Sequence, residues 1–333
     1  MSELYPIKFA PIFKQKIWGG DRLKNVLNKN NATDQTGESW EISPLSGSES
    51  VVGNGFLAEN TLSEIIEVYM GDLVGESVFD RFGTNFPLLL KFIDAQDLLS
   101  VQVHPDDEMA QEKYGMNGKT EVWYVVDASN DAYLYTGFNQ KLTKKKKKKN
   151  IELKTVKDTL NKEYVSKGDV FFIPAGRIHA TGPGGLFAEI QQASDITYRV
   201  YDWDRKDRDG NLRELHVDEA LEAMDFEVSD SYKTEYSTRE NQHAPLVKSP
   251  YFVVNKLQLT EKYNAEYNQI DSFVAYMCVE GRVLIEYKHG KTETLEKGET
   301  VLIPAVFESI KLIPDESVEL LEVYIPDAGA ASE

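Results

Sequence analysis

Gln102 and His104 sit two residues apart in Leu99-Ser100-Val101-Gln102-Val103-His104, an amide and an imidazole in an otherwise apolar run. On a strand alternate side chains share a face, so both would point one way while Val101 and Val103 point the other. Pro105, which cannot donate to a ladder, would end the strand. Two more residues of the right type stand in conspicuous places. Glu121 heads Val122-Trp123-Tyr124-Val125-Val126, where a carboxylate without a partner is costly. His179 follows the turn Ile173-Pro174-Ala175-Gly176, which re-aims the chain. Two imidazoles, a carboxylate and an amide oxygen form a mixed N/O donor set for a divalent cation. Two His and one Glu with an open position is a catalytic zinc pattern, and the same donors suit Fe(II) or Mn(II). The competing reading of His104 is a hydrogen-bonded core histidine. His216 reads as structural, His243 as part of a polar linker and His289 as part of a Lys-His-Gly turn.

Cations and carboxylates flank these donors. Lys91 ends Leu88-Leu89-Leu90, Lys119 lies two residues before Glu121, Arg199 sits within Ile196–Tyr201, and Glu189 lies ten residues before Arg199. Each alone is an ordinary salt-bridge partner. Together they suit an anionic substrate with a proton to move: a metal polarises oxygens, Lys and Arg stabilise developing negative charge, and a carboxylate carries the proton.

The elements that must position them read as mostly strands. Glu38 and Glu41 lie in the alternating run Gly37–Ser43, and Phe86–Ala95, Glu121–Val126, Ala132–Gly137, Leu186–Gln192 and Ile196–Tyr201 all have strand character. Helical spacing is confined to 61–82, headed by the capping box Thr61-x-x-Glu64, to 106–117, to the neighbourhood of Ile151–Leu160 and to Val217–Met224. Residues 226–250 read as a linker, and from Tyr251 the chain returns to strands separated by turns, as in a β-sandwich or barrel.

One internal echo stands out. KGDVFFIPAGRIHA from Lys167 and KGETVLIPAVFESI from Lys297 share Lys, Gly, Ile, Pro and Ala, and where the first has His179 the second has Ser309. This reads as two copies of one β-barrel module, the second having kept the architecture and lost the ligand.

The totals bound the function class. With 333 residues, 41% of them hydrophobic, the chain is long enough for a real core. A net charge of −18 argues against nucleic acid as a partner and requires local cations for any anionic substrate. There is no apolar run of membrane-spanning length and no secretory leader pattern at the start. The single cysteine, Cys278, fits a reducing compartment and reads as a small core hydrophobe, so a cytoplasmic location is expected. The six lysines Lys144–Lys149 read as a solvated loop or helix face, with contact to a polyanion as the alternative.

The runs GESWEIS (37–43), LLLKFIDA (88–95), LSVQVHPDD (99–107), GKTEVWYV (118–125), FFIPAGRIHA (171–180) and EIQQASDITYRVYDWDR (189–205) resemble those of the type I mannose-6-phosphate isomerases, members of the cupin superfamily, in that family's order. The remainder resembles the family's shorter bacterial form. The resemblance implies a mainly β fold of two cupin-type jelly-roll barrels with a small helical insertion: a catalytic domain over 1–240 and a degenerate barrel without metal ligands over 241–333. It implies one Zn²⁺ per chain on Gln102, His104, Glu121 and His179, an active-site Arg199, and Lys119, Lys91, Glu38, Ser100 and Asp195 around the substrate. The implied reaction interconverts mannose 6-phosphate and fructose 6-phosphate by ring opening and proton transfer between C2 and C1 through a cis-enediol; Glu189, Glu38 or a zinc-bound water would serve as the proton carrier, and Lys91 and Ser100 are candidate phosphate contacts. The expected partner is the phosphosugar, with the chain a monomer or weak homodimer. The alternatives are another metallo-cupin enzyme, either an Fe or Mn dioxygenase or a different sugar-phosphate isomerase, and a non-catalytic sugar-phosphate-binding cupin.

Overall fold

The computed structural model describes residues 3–141, 143–152, 155–206 and 210–327. The fold is mainly β. A six-stranded antiparallel sheet runs in the order Ile12–Gly20, Thr36–Ile42, Leu88–Ala95, Gly185–Gln192, Glu121–Ala128 and Val170–Ile173. A five-stranded sheet runs in the order Tyr198–Tyr201, Val101–Val103, His179–Thr181, Tyr133–Phe138 and Leu160–Tyr164. An eight-stranded sheet holds the C-terminal strands together with Ile7–Lys8. No helix among the described residues is long and apolar enough to cross a membrane.

Strand alternation sorts the side chains into three apolar layers. Leu88, Leu90 and Phe92, with Val122, Tyr124, Ala188 and Ile190, turn away from the site and pack on the C-terminal sheet and the helix Leu62–Val74. Val101 and Val103, with Ile178 and Ala180, turn outward against the helix Val217–Ala223. Between the two smaller sheets lie Trp18, Ile93, Trp123, Leu134, Phe171 and Phe187. Each such side chain, fully buried, contributes about 1.5–3 kcal/mol, so both faces of the ligand-bearing strands are fixed by packing. A one-residue slip would turn the polar set into an apolar layer.

The 61–82 segment is two helices, Leu62–Val74 and Glu76–Phe82, with the expected Thr61/Glu64 capping box on the first. They part at Gly75, whose φ is +96°. A Cβ there would meet the Asp271 carbonyl oxygen at 2.4 Å, and the Asp271 side chain accepts the N–H groups of Glu76 and Ser77 at 2.8 and 2.9 Å. The expected linker over 226–250 contains a strand, His243–Lys248, at the edge of the C-terminal sheet. Pro245 masks it in the sequence, and an edge is where a sheet tolerates proline. The lysine run lies in a helix, Lys144–Glu152, and Lys148 pairs with Asp218 at 3.2 Å.

The internal echo is structural. Gly168 and Gly298 have φ of +92° and +88°, and their N–H groups donate to the Val125 and Cys278 carbonyls, both at 2.8 Å. The strands Val170–Ile173 and Thr300–Ile303 follow. Glu121 is in register with Ile173, and Val274 with Ile303. Glu189 lies between Lys91 and Trp123, and Glu322 between Asn255 and Tyr276. The second copy thus carries Val274 and Ser309 where the first carries Glu121 and His179.

Candidate metal centre and active site

Two neighbouring strands of the five-stranded sheet, one strand of the six-stranded sheet and one extended segment supply the centre. Gln102 ends up opposite His179 in the ladder and also opposite Arg199. Glu121 projects from the facing sheet. The donor atoms of His104, Glu121 and His179 all lie within 4.8 Å of one another, and all three residues are buried. His179 Nε2 is 3.2 Å from Glu121 Oε1, and His104 Nε2 is 3.6 Å from Oε2.

The imidazoles are held by backbone carbonyls. His104 Nδ1 is 2.9 Å from the Ile196 oxygen and His179 Nδ1 is 2.9 Å from the Arg177 oxygen. A carbonyl only accepts, so each Nδ1 carries the proton and each Nε2 presents a lone pair inward. Burial keeps both rings neutral: it drives His104 well below the usual histidine range, helped by Lys119, and His179 down to about 3. Neutral rings with a fixed tautomer are what a metal requires. Glu121 Oε1 is a buried carboxylate oxygen without a hydrogen-bond partner, and burial pushes this carboxyl up to about 7 against the pull of Lys119. The Lys119 ammonium lies against the Glu121 carboxylate and 3.0 Å from His104 Nε2. A positive charge is thus already drawn to the point where the donors converge. Gln102 Nε2 donates to His179 Nε2 at 3.2 Å, and turning that amide over would offer its oxygen to the same point. The donor set fits a divalent cation.

Above this floor opens a cavity of about 630 Å³. Lys91, Lys119, Arg199, Glu38, Glu189, Ser100, Gln102 and Asp195 line it, as do residues that sequence reasoning did not single out, notably Lys14, Lys16, Trp40, Thr197 and Arg213. Lys91 Nζ donates to Glu189 at 2.8 Å and to Gln191 at 2.6 Å. Trp123 Nε1 donates to the other Glu189 oxygen at 2.8 Å. Burial opposes the charge on both members, but Glu189 is held well below the usual carboxylate range by Lys91 and Lys119, and Lys91 is raised by Glu189 and Glu38. Glu38 accepts from Trp40 Nε1 at 2.7 Å and pairs with Lys16 at 3.0 Å. Arg199 donates to the Glu214 carbonyl at 2.7 Å while its buried Nε has no partner. Its strand is stapled to His216, which accepts the Arg199 N–H at 3.2 Å and donates its own N–H to the Arg199 carbonyl at 2.8 Å. His216 therefore supports Arg199. Lys14 and Lys16 were legible as alternate residues of one strand face with Trp18, and Gln191 as the partner of Glu189 on its face.

Residues 7–157 match the family described as "Phosphomannose isomerase type I, catalytic domain", and residues 242–323 match "Mannose-6-phosphate isomerase, cupin domain". The chain is 36% identical over 311 residues to Mannose-6-phosphate isomerase ManA of Bacillus subtilis, which covers 92% of this chain and 95% of that one.

The chain belongs to the type I phosphomannose isomerase family.

A second member, Mannose-6-phosphate isomerase of Streptococcus mutans, is 35% identical over 305 residues, covering 90% of this chain and 94% of that one. The crystal structure of the mannose 6-phosphate isomerase from Bacillus subtilis superposes with a TM-score of 0.86 at 33% identity, covering 97% of this chain and all of that one. A structure from Archaeoglobus fulgidus, at 21% identity and a TM-score of 0.76, shares the fold over 97% of this chain and 98% of its own. The site described above thus lies in a phosphomannose isomerase fold, with the histidines and Glu121 on its floor.

Proposed function

We propose that this chain interconverts mannose 6-phosphate and fructose 6-phosphate with one zinc ion per chain, through a cis-enediol. The observation that carries the reading is the convergence of two Nδ1-anchored imidazoles and Glu121 at the floor of a cavity rimmed by cations. His104, Glu121 and His179 would hold the metal, with the Gln102 amide as fourth donor. Zinc bound there would polarise the neighbouring sugar oxygens and stabilise the charge that develops on them.

The chain's own residues do the rest. Arg199, with a free Nε, and Ser100 and Arg213 on the same rim offer donors to the phosphate, a dianion that the chain's overall charge of −18 would otherwise repel. Lys91 and Lys119 place positive charge beside the reacting carbons and offset the negative charge of an enediolate. Glu189, kept ionised by Lys91, takes the proton from C2 and returns it to C1, while the hydroxyl proton passes from O2 to O1 to complete the cis-enediol and then the ketose. Glu38 and Asp195 accept from sugar hydroxyls. The test is an isomerase assay coupled to fructose 6-phosphate consumption, run before and after chelation and after zinc add-back. Turnover should vanish with the chelator and return with zinc. A metal-loaded protein that converts no mannose 6-phosphate overturns the proposal.

A further inference from the structure

The metal reading leaves Arg177 unused, although it lies two residues before His179 and outside the cavity lining. Its turn, Pro174–Arg177, is bonded to all three ligand-bearing segments. Gly176 N–H donates to the His104 carbonyl at 2.9 Å. Ala175 N–H donates to Thr120 Oγ1 at 3.2 Å, one residue before Glu121. The Arg177 carbonyl receives His179 Nδ1–H at 2.9 Å. The positive φ of Gly176, +87°, leaves its carbonyl to accept the Asp225 N–H at 2.7 Å.

The Arg177 side chain clamps this turn from behind. Its guanidinium donates to the Phe172 carbonyl at 2.9 Å and lies 5.2 Å from the Tyr232 ring centroid. Tyr232 in turn donates to the Phe138 carbonyl and accepts the Ser229 N–H, both at 3.1 Å. Among the described residues no carboxylate is within ion-pair distance of Arg177. The carbonyl and the ring hold the guanidinium, and the more distant Asp225 carboxylate favours its charge.

The second copy of the module provides the contrast. Phe307 N–H donates to the Pro304 carbonyl as Arg177 N–H does to Pro174, each at 3.1 Å, so the turn is the same. There Val306 and Phe307 replace Gly176 and Arg177. The donors Ala305 N–H and Val306 N–H go instead to the Leu73 and Asp72 carbonyls of a helix, both at 2.9 Å. Where the module has no ligands, the turn docks a helix. Where it has them, the turn ties their backbones together.

We infer that Arg177, braced by Tyr232, is a positioning residue for the metal: it fixes the turn that orients His104, Glu121 and His179, and it sets metal affinity without touching substrate. The inference rests on the metal reading above.

The experiment compares wild type with Arg177→Met, which keeps the stem over Tyr232 and removes the donors and charge, and with Arg177→Lys. Each protein is stripped and titrated with Co²⁺ against a chromophoric chelator, with the visible cobalt spectrum, the melting temperature of the stripped protein and KM at saturating metal also recorded. For Arg177→Met, affinity should fall about 10–100-fold with an altered spectrum, as for other residues that orient ligands. Stripped melting temperature and KM should stay near wild type, and Arg177→Lys should fall between. Tyr232→Leu should weaken cobalt binding in the same direction even if Arg177→Met fails to fold. Unchanged cobalt affinity and spectrum in Arg177→Met, or in Tyr232→Leu should it alone fold, overturns the inference. So does an equal loss in Val301→Ala, a cavity variant in the C-terminal sheet. Wild type that takes up no divalent metal overturns the metal reading itself.

Discussion

Replacing Glu189 by Gln keeps the shape and removes the charge from the pair with Lys91. In the native chain one carboxylate oxygen accepts from Lys91 at 2.8 Å and the other from Trp123 at 2.8 Å. An amide has one oxygen, so one of those donors must face an NH₂ group. Lys91, only 7% exposed, also loses its nearest countercharge. Breaking a buried pair in this way costs about 3–5 kcal/mol. Against a typical total of about 5–15 kcal/mol, the variant should still fold, with its urea midpoint clearly lowered. Gln191 at 2.6 Å still accepts from Lys91, which places the cost toward the lower end of that range. If Glu189 also carries the proton, kcat should fall by about 10²–10⁴ while KM changes little. The two readouts separate the roles. Urea unfolding reports the ion pair, and the coupled assay on zinc-loaded, folded protein reports the chemistry. Near-normal kcat with a lowered midpoint would refute the proton-transfer argument and leave Glu189 as the anchor of Lys91. Unchanged stability would refute the ion-pair argument as well.

Four further outcomes are expected. His179→Ala removes one of three clustered donors, so metal content by elemental analysis should fall toward zero with activity, and full occupancy would count against the centre. Arg199→Met should raise KM for the phosphosugar about tenfold or more, from the loss of about 1.5 kcal/mol or more per hydrogen bond to a charged group, while unphosphorylated mannose is handled as before. Gly75→Ala forces a side chain into a region near φ +96° and against the Asp271 carbonyl, and denaturant unfolding should show a loss of at least about 1–3 kcal/mol. His243 is raised from the usual histidine value by its hydrogen bond to Glu322 at 3.2 Å, with burial opposing. A group whose folded pKa is raised stabilises below its unfolded value and loses that contribution as pH rises through the folded one. The melting-temperature gap between wild type and His243→Gln should therefore be widest below about pH 6.5 and close at higher pH, and a gap that widens with pH would contradict the pairing.

Much of the candidate site is legible in the sequence because it obeys strand alternation. Gln102 against Val101 and Val103, and Glu121 against Val122, show in the sequence which side chains face inward. The repeat around Lys167 and Lys297 separates the residues of a shared turn from His179, which only the first copy carries. What escaped depends on backbone acceptors and torsions that residue types do not encode. His216 supports Arg199 through the main-chain atoms of Arg199, Arg177 acts on a carbonyl, and the helix break at Gly75 exists because an aspartate 196 residues away caps the second helix. The strand His243–Lys248 was hidden by Pro245, a residue that argues against a central strand but says little about an edge.

The strand Ile7–Lys8 belongs to the sheet made by the last part of the chain: Ile7 pairs with Leu302, Lys8 with Val301, and Lys8 bonds Glu299 at 2.8 Å. Partners roughly 300 residues apart close a loop that costs about 1.6 kcal/mol more than one of about 50 residues. During synthesis this segment must wait, unpaired, until nearly everything after it has left the ribosome. Refolding should accordingly show a late phase in which the C-terminal sheet gains its edge. The sheet beside the candidate site is thus joined to both ends of the polypeptide, so that the last strands to be made complete the place of the first.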